Sequence, residues 1–127
     1  MTVIPDYPKR IKKLLREYMI EAYERELHRE LGKLEPSFAE WRNGEISSGE
    51  LSYRIHKYET GPSRKLFKHY NHGPVDMSVA YAIVVGILER EQMPNELLEA
   101  IAGPLNFYES LKAANELKKT RLSCKRH

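Results

Sequence analysis

The sequence contains one cysteine, Cys124, among 127 residues, so it can form no intramolecular disulfide and no zinc site built from several thiolates. A chain that does not depend on disulfides suits a reducing compartment, and we expect a cytoplasmic protein. Its apolar runs are far shorter than the ~20 residues of a membrane-spanning helix. The N-terminus also lacks the long apolar core of a signal peptide. We therefore expect no membrane partner.

Signatures of enzymes are also scarce. The chain has no phosphate-binding loop, no Gly-x-Ser-x-Gly and no His-Glu-x-x-His. His69 and His72 are three residues apart and could share one side of a helix, but a zinc site needs three or four ligands. We predict no catalytic residue, no metal and no cofactor, and we favour a non-enzymatic protein.

The composition is typical of one globular domain, with 41% hydrophobic and 31% charged residues. The net charge of +3 is unevenly distributed, because residues 1–16 carry +4, residues 17–117 carry −6 and residues 118–127 carry +5. Basic ends of this kind either attract nucleic acid or simply remain solvated. The apolar pattern fades after residue 117. We predict one helical domain over residues 1–117 and a basic, disordered tail over residues 118–127.

Apolar residues recur at three- and four-residue spacing from Ile11 to Trp41, which predicts a long N-terminal helix. Alternating steps of four and three connect the last five members of this stripe, which we call the seam: Leu27, Leu31, Leu34, Phe38 and Trp41. Gly32 and Pro36 interrupt the pattern. The sequence therefore allows either one long helix bent at the proline or two helices that meet near it.

The rest of the chain alternates helix signals with break signals. Ser47 and Glu50 form a capping box that starts a helix, and breaks are predicted at residues 60–63 and 71–74. The nearly all-apolar run Met77–Leu88 fits a buried central helix or a buried strand, and we favour the helix because no other segment could pair with a strand. These elements predict an all-α bundle of five or six helices in a single domain.

Helical spacing assigns six side chains between residues 51 and 70 to the core: Leu51, Ile55, Tyr58, Leu66, Phe67 and Tyr70. The same stretch, extended to Gly73, holds five Lys or Arg, three tyrosines and three histidines against one acid, Glu59. Such interleaving of basic and aromatic side chains can bind an anionic partner.

A helix that starts after the break at residues 60–63 would present free backbone amides to an anion. Arg64 and Lys68 repel each other at four-residue spacing, and a bound phosphate would offset that repulsion. These observations predict an anion or nucleic-acid-backbone site: Ser63, Arg64, Lys65, Lys68 and His69. The alternative is a solvated helix face whose charges pair with the acidic body of the protein.

The spacing Arg64-x4-His69 resembles that of the HEPN-type ribonucleases, which are also small and all-helical. In that family an Arg and a His near a dimer interface act on the RNA phosphate. The similarity covers two residues, and Lys65 stands where the family commonly has a small polar residue. The resemblance implies a helical ribonuclease as one hypothesis for this chain.

The seam is wider than one small bundle covers, and large exposed apolar patches usually mark an interface. Our first hypothesis is therefore a small cytoplasmic, non-enzymatic interaction or accessory module, homodimeric and acting with a protein partner. The second is a protein that binds the RNA or DNA backbone through the basic helix and the two basic ends. The third is the ribonuclease.

Overall fold

The computed structural model describes residues 6–115, and its regular structure is helical throughout. Six α-helices follow in chain order: α1 (Lys9–Arg42), α2 (Ser48–Tyr58), α3 (Arg64–Asn71), α4 (Val75–Val84), α5 (Asn95–Ala100) and α6 (Ala102–Ala113). A π-helical turn at Glu59–Ser63 and a 3-10 turn at Arg90–Gln92 accompany them. The predicted all-α bundle is confirmed. The predicted tail and the domain end at residue 117 lie outside the described residues.

Helix α4 lies at the centre of the packing, in contact with both α1 and α6. Val79, Ala80 and Ala82 on this helix have no solvent exposure, and Leu97 and Ile101 complete the core around it. The prediction of a buried central helix is therefore confirmed, and residues 6–115 contain no strand. In the same range, no helix combines the length and the apolar character that crossing a membrane requires.

The central helix ends at Val84, four residues before the predicted end at Leu88. Gly86 adopts a φ of +89°, which favours glycine. The amide of Ile87 donates to the carbonyl of Ala82 at 2.8 Å, and the amide of Gly86 donates to that of Ile83 at 3.2 Å. This pair of bonds is a Schellman cap, and it terminates the helix inside the apolar run.

Helix α1 runs unbroken through Pro36, so one long helix forms and not two helices that meet near the proline. Proline has no amide hydrogen, and the carbonyl of Gly32 one turn earlier receives no helical hydrogen bond from it. Both residues are exposed, so water can solvate that carbonyl. The exposed position explains how a 34-residue helix contains a proline.

The break predicted at residues 60–63 is wrong. Tyr58, Glu59, Ser63 and Arg64 all have right-handed helical dihedrals, so α2 continues into α3 through the π-helical turn. A π turn inserts one extra residue and changes the hydrogen-bond pattern, which accommodates Pro62 without ending the helix. We call the continuous segment from residue 48 to residue 71 the α2–α3 helix.

The extra residue also sets the orientation of α3. One residue corresponds to about 100° of helical rotation, so the π turn brings Leu66 and Tyr70 to the same side as Leu51. All three are buried, as predicted. Ile55 and Phe67, also predicted to be core, are exposed instead. They lie on the flank of the α2–α3 helix that no other described helix covers.

Candidate functional site

The buried residues of α1 change character along the helix. Near its start they are apolar: Ile11, Leu15 and Ala22. Near its end they are polar: Glu26, Glu30 and Ser37. The whole set follows one helical phase, with steps of four and seven residues. This phase can be found in the sequence. If only apolar residues are considered, however, the predicted inner face of the second half of α1 falls on the seam, because the residues that are actually buried there are polar.

Glu26 is held in the gap between α1 and α3. Its side chain is 1% exposed and its carboxylate accepts a hydrogen bond from the Tyr70 hydroxyl at 2.5 Å. Arg29 lies 3.4 Å from the same carboxylate. The ring of Tyr23 stacks on Tyr70 with centroids 5.2 Å apart, and burial raises the pKa of Tyr23. A buried acid is tolerated here because it has hydrogen-bond donors.

Arg54 makes the corresponding contacts between α1 and α2. Its guanidinium donates to Ser37 at 3.1 Å, to Glu40 at 3.0 Å and to Glu50 at 2.8 Å. The hydrogen bond to Glu50, followed by that to Glu40, raises the pKa of Arg54. Together with the Tyr70–Glu26 bond, these contacts fix the α2–α3 helix antiparallel to α1 and define the register of the pair.

The seam predicted as an interface lies outside this polar contact. Leu31 is 49% exposed and Trp41 is also exposed, whereas Leu27, Leu34 and Phe38 are half-buried. Leu27 packs against the edge of the core. The structure therefore places the five residues along one side of α1 and leaves part of each open to solvent.

Ile55 and Phe67 extend the seam onto the neighbouring helix. Trp41 donates to the Ser48 hydroxyl at 3.0 Å, and Ile55 is two turns beyond Ser48 on the same side of α2. Phe67 follows Ile55 by three turns plus the extra π residue, so it faces the same way. We call the combined surface the apolar face: Leu27, Leu31, Leu34, Phe38, Trp41, Ile55 and Phe67.

The predicted anion site does not have the predicted geometry. Ser63 lies inside the π-helical turn, and the Arg64 amide donates to the carbonyl of Gly61. No helix starts here, so these residues offer no set of free amides to an anion. Arg64, Lys65 and Lys68 are exposed, and none of them forms an ion pair with any residue in the described range 6–115.

His69 is separated from the other members of the predicted anion site. It is half-buried, and its ring meets those of Tyr70 and Tyr81 edge-on at centroid distances of 4.7 and 4.9 Å. Arg64 precedes it by five residues, about 140° around the helix, and faces solvent. The two residues that carry the resemblance to HEPN-type ribonucleases thus point to different sides of α3.

A cleft of about 380 Å³ lies between the start of α1 and the start of α4. At its wall, the Tyr7 hydroxyl donates to the buried Asp76 carboxylate at 2.7 Å. Burial, followed by the hydrogen bond to Asp76, raises the pKa of Tyr7 to about 12. Leu15 and the cationic Lys12 also line the cleft. Arg16 is a second cation in the lining, and this mixture of one carboxylate, two cations and apolar carbon indicates no single class of ligand.

Among the residues that the structure describes, no three His, Cys, Asp or Glu side chains are grouped so as to hold a metal ion. Comparison with known protein families, with curated proteins and with solved structures finds no match to this chain. Among the described residues, the apolar face and the exposed cations of the α2–α3 helix are therefore the two candidate functional surfaces.

Proposed function

We propose that the protein is a small, non-enzymatic interaction module of the cytoplasm that self-associates through the apolar face. One observation carries the proposal: the C-terminal half of α1 buries two glutamates and a serine, while Leu31 and Trp41 are exposed and Leu27, Leu34 and Phe38 stay partly open to solvent. A helix that folds only against its own chain usually does the reverse. The sole cysteine, Cys124, fits a reducing compartment.

A second copy of the same chain is the partner that the spacing favours. Steps of four and three residues are the period at which two helices pack side by side in a coiled coil. The seam covers two heptads of this pattern, and Ile55 and Phe67 widen it on one side. Two such faces are complementary to each other, so a symmetric pair buries the exposed leucines of both copies.

The test is the molar mass in solution, measured by sedimentation or light scattering from low to high micromolar concentration. We expect a concentration-dependent dimer for the wild-type protein and a monomer for Leu31→Glu, because a charge would be buried within the seam. Phe107→Glu is the matched control, since Phe107 is also a half-exposed apolar residue but lies on α6, away from this face.

A wild-type protein that stays monomeric at the highest concentration would contradict self-association. Loss of the dimer in Phe107→Glu and not in Leu31→Glu would place the interface elsewhere. Circular dichroism of both variants provides the check on folding, since each substitution is at an exposed position of a helix.

A further inference from the structure

The outward side of the α2–α3 helix carries a row of exposed cations. Lys57, Arg64, Lys65 and Lys68 are all exposed, and within residues 6–115 none of them forms an ion pair. Some cations elsewhere are paired, as Arg25 is with Glu21 and Glu89. The alternative prediction was that acidic residues of the protein pair with the charges of this helix face. Among the described residues, it does not hold for these four cations.

The π-helical turn sets the direction in which the cations of α3 point. In an uninterrupted α-helix, the side chains of α3 would be rotated by about 100° relative to those of α2. With one extra residue at the turn, Lys57 falls in the same arc as Lys65 and Lys68, opposite the buried Leu51 and Leu66. The four cations cover eleven residue steps, which at 1.5 Å per residue is about 17 Å of helix length.

One exposed aromatic residue accompanies them. Tyr53 is 55% exposed, and the Lys57 ammonium lies 5.6 Å from the centre of its ring. It is one turn before Lys57 on the same outward arc. An exposed ring beside a row of cations is the combination by which proteins bind single-stranded nucleic acid, with bases on the ring and phosphates on the cations.

We propose that this outward arc, formed by Tyr53, Lys57, Arg64, Lys65 and Lys68, binds the phosphate backbone of single-stranded nucleic acid without regard to sequence. An anionic membrane suits the arc less well, because membrane-surface helices also present a broad apolar face to the lipid, and this arc holds one ring. The arc lies on a different side of the α2–α3 helix from Ile55 and Phe67. Self-association and nucleic-acid binding can therefore fail independently.

The experiment measures the affinity of the full chain for labelled single-stranded RNA and DNA oligonucleotides between 50 and 200 mM salt. Affinity that comes from phosphate contacts falls with salt, with a slope in log–log form of about −0.7 per contact on single strands. Replacing two cations in Arg64→Gln/Lys68→Gln should make the slope shallower by about 1.4. Affinity at 50 mM salt should fall about tenfold or more.

The matched control is Lys9→Gln/Lys13→Gln, which removes the same charge from exposed positions of α1 that form no ion pair in the described range. It should change the slope less than the arc variant does. Tyr53→Ala should lose about fivefold or more in affinity for the oligonucleotides, and Tyr53→Phe should retain it.

Three outcomes would overturn the proposal. One is no detectable binding of either oligonucleotide at 50 mM salt. Another is an equal loss in the arc variant and in the control, which would indicate attraction to net charge alone. The third is binding to vesicles that contain anionic lipid without binding to oligonucleotides, which would identify the partner as a membrane surface.

Discussion

The two ends of α1 belong to regions with opposite organisation. The N-terminal half joins the apolar core around α4, where Val79, Leu97 and Ile101 are completely buried. The C-terminal half pairs with the α2–α3 helix through Glu26 and Arg54, and it leaves Leu31 and Trp41 exposed. Apolar burial supplies most of the stability of a fold, whereas buried polar contacts mainly fix which surfaces meet. The first region therefore holds the molecule together, and the second presents its binding surfaces.

The two regions should differ most in how much the free energy of unfolding falls when a leucine is replaced by alanine. Leu97→Ala leaves a cavity in the core and should reduce the free energy of unfolding by about 2–5 kcal/mol. Leu31→Ala, at a half-exposed position, should change it by less than about 0.5 kcal/mol in dilute, monomeric samples. Urea unfolding of both variants measures the difference. Equal losses would show that the seam is part of the core.

A smaller effect is expected from the polar contact that fixes α3 against α1. Tyr70→Phe removes the hydroxyl that donates to the buried Glu26 carboxylate, and should cost about 1–3 kcal/mol in the same unfolding measurement. Tyr53→Phe, at an exposed position, is the control and should cost almost nothing. A neutral Tyr70→Phe would mean that this contact contributes little to the pairing of the two helices.

The smallest effect is expected at the edge of the apolar region and depends on pH. The pKa of Tyr7 rises from 10.0 to about 12 in the folded protein, so the folded state holds this proton more tightly than the unfolded state. The stabilisation is complete below pH 10 and is lost as the pH rises from about 10 to about 12.

Tyr7→Phe should therefore be about 1 kcal/mol less stable than the wild type at pH 8, because the Asp76 carboxylate loses a donor. The gap should close between pH 10 and 12. Unfolding followed at several pH values tests this, and a gap that stays constant would exclude Tyr7 as the titrating group.

Sequence periodicity was sufficient to predict the helices and the central position of α4, because apolar spacing directly reflects burial. It failed where backbone hydrogen bonding decided the outcome. The π turn absorbed Gly61 and Pro62 into one helix, and Gly86 ended α4 within an apolar run. Glu26 continues the helical phase of Ile11, Leu15 and Ala22, but a search restricted to apolar residues passes over it, and its partner Tyr70 is 44 residues away.

The candidate surfaces were predictable to a similar degree. The five seam residues were found from their spacing, and the structure leaves them partly exposed. Three of the predicted anion-site residues, Arg64, Lys65 and Lys68, lie on one exposed side. His69 turns inward, because its ring packs against Tyr70 and against Tyr81 of α4, a tertiary contact that no spacing within the helix indicates.

Trp41 provides the most direct measurement of self-association, because it is the only tryptophan in the chain and it lies in the apolar face. Its fluorescence should be recorded on the same samples as the molar mass, across the same range of concentration. If the apolar face is the interface, the emission maximum shifts to shorter wavelength as the mass doubles, and Leu31→Glu shows neither change. A mass that doubles while the emission of Trp41 stays constant would contradict this, as would a wild-type protein that remains a monomer.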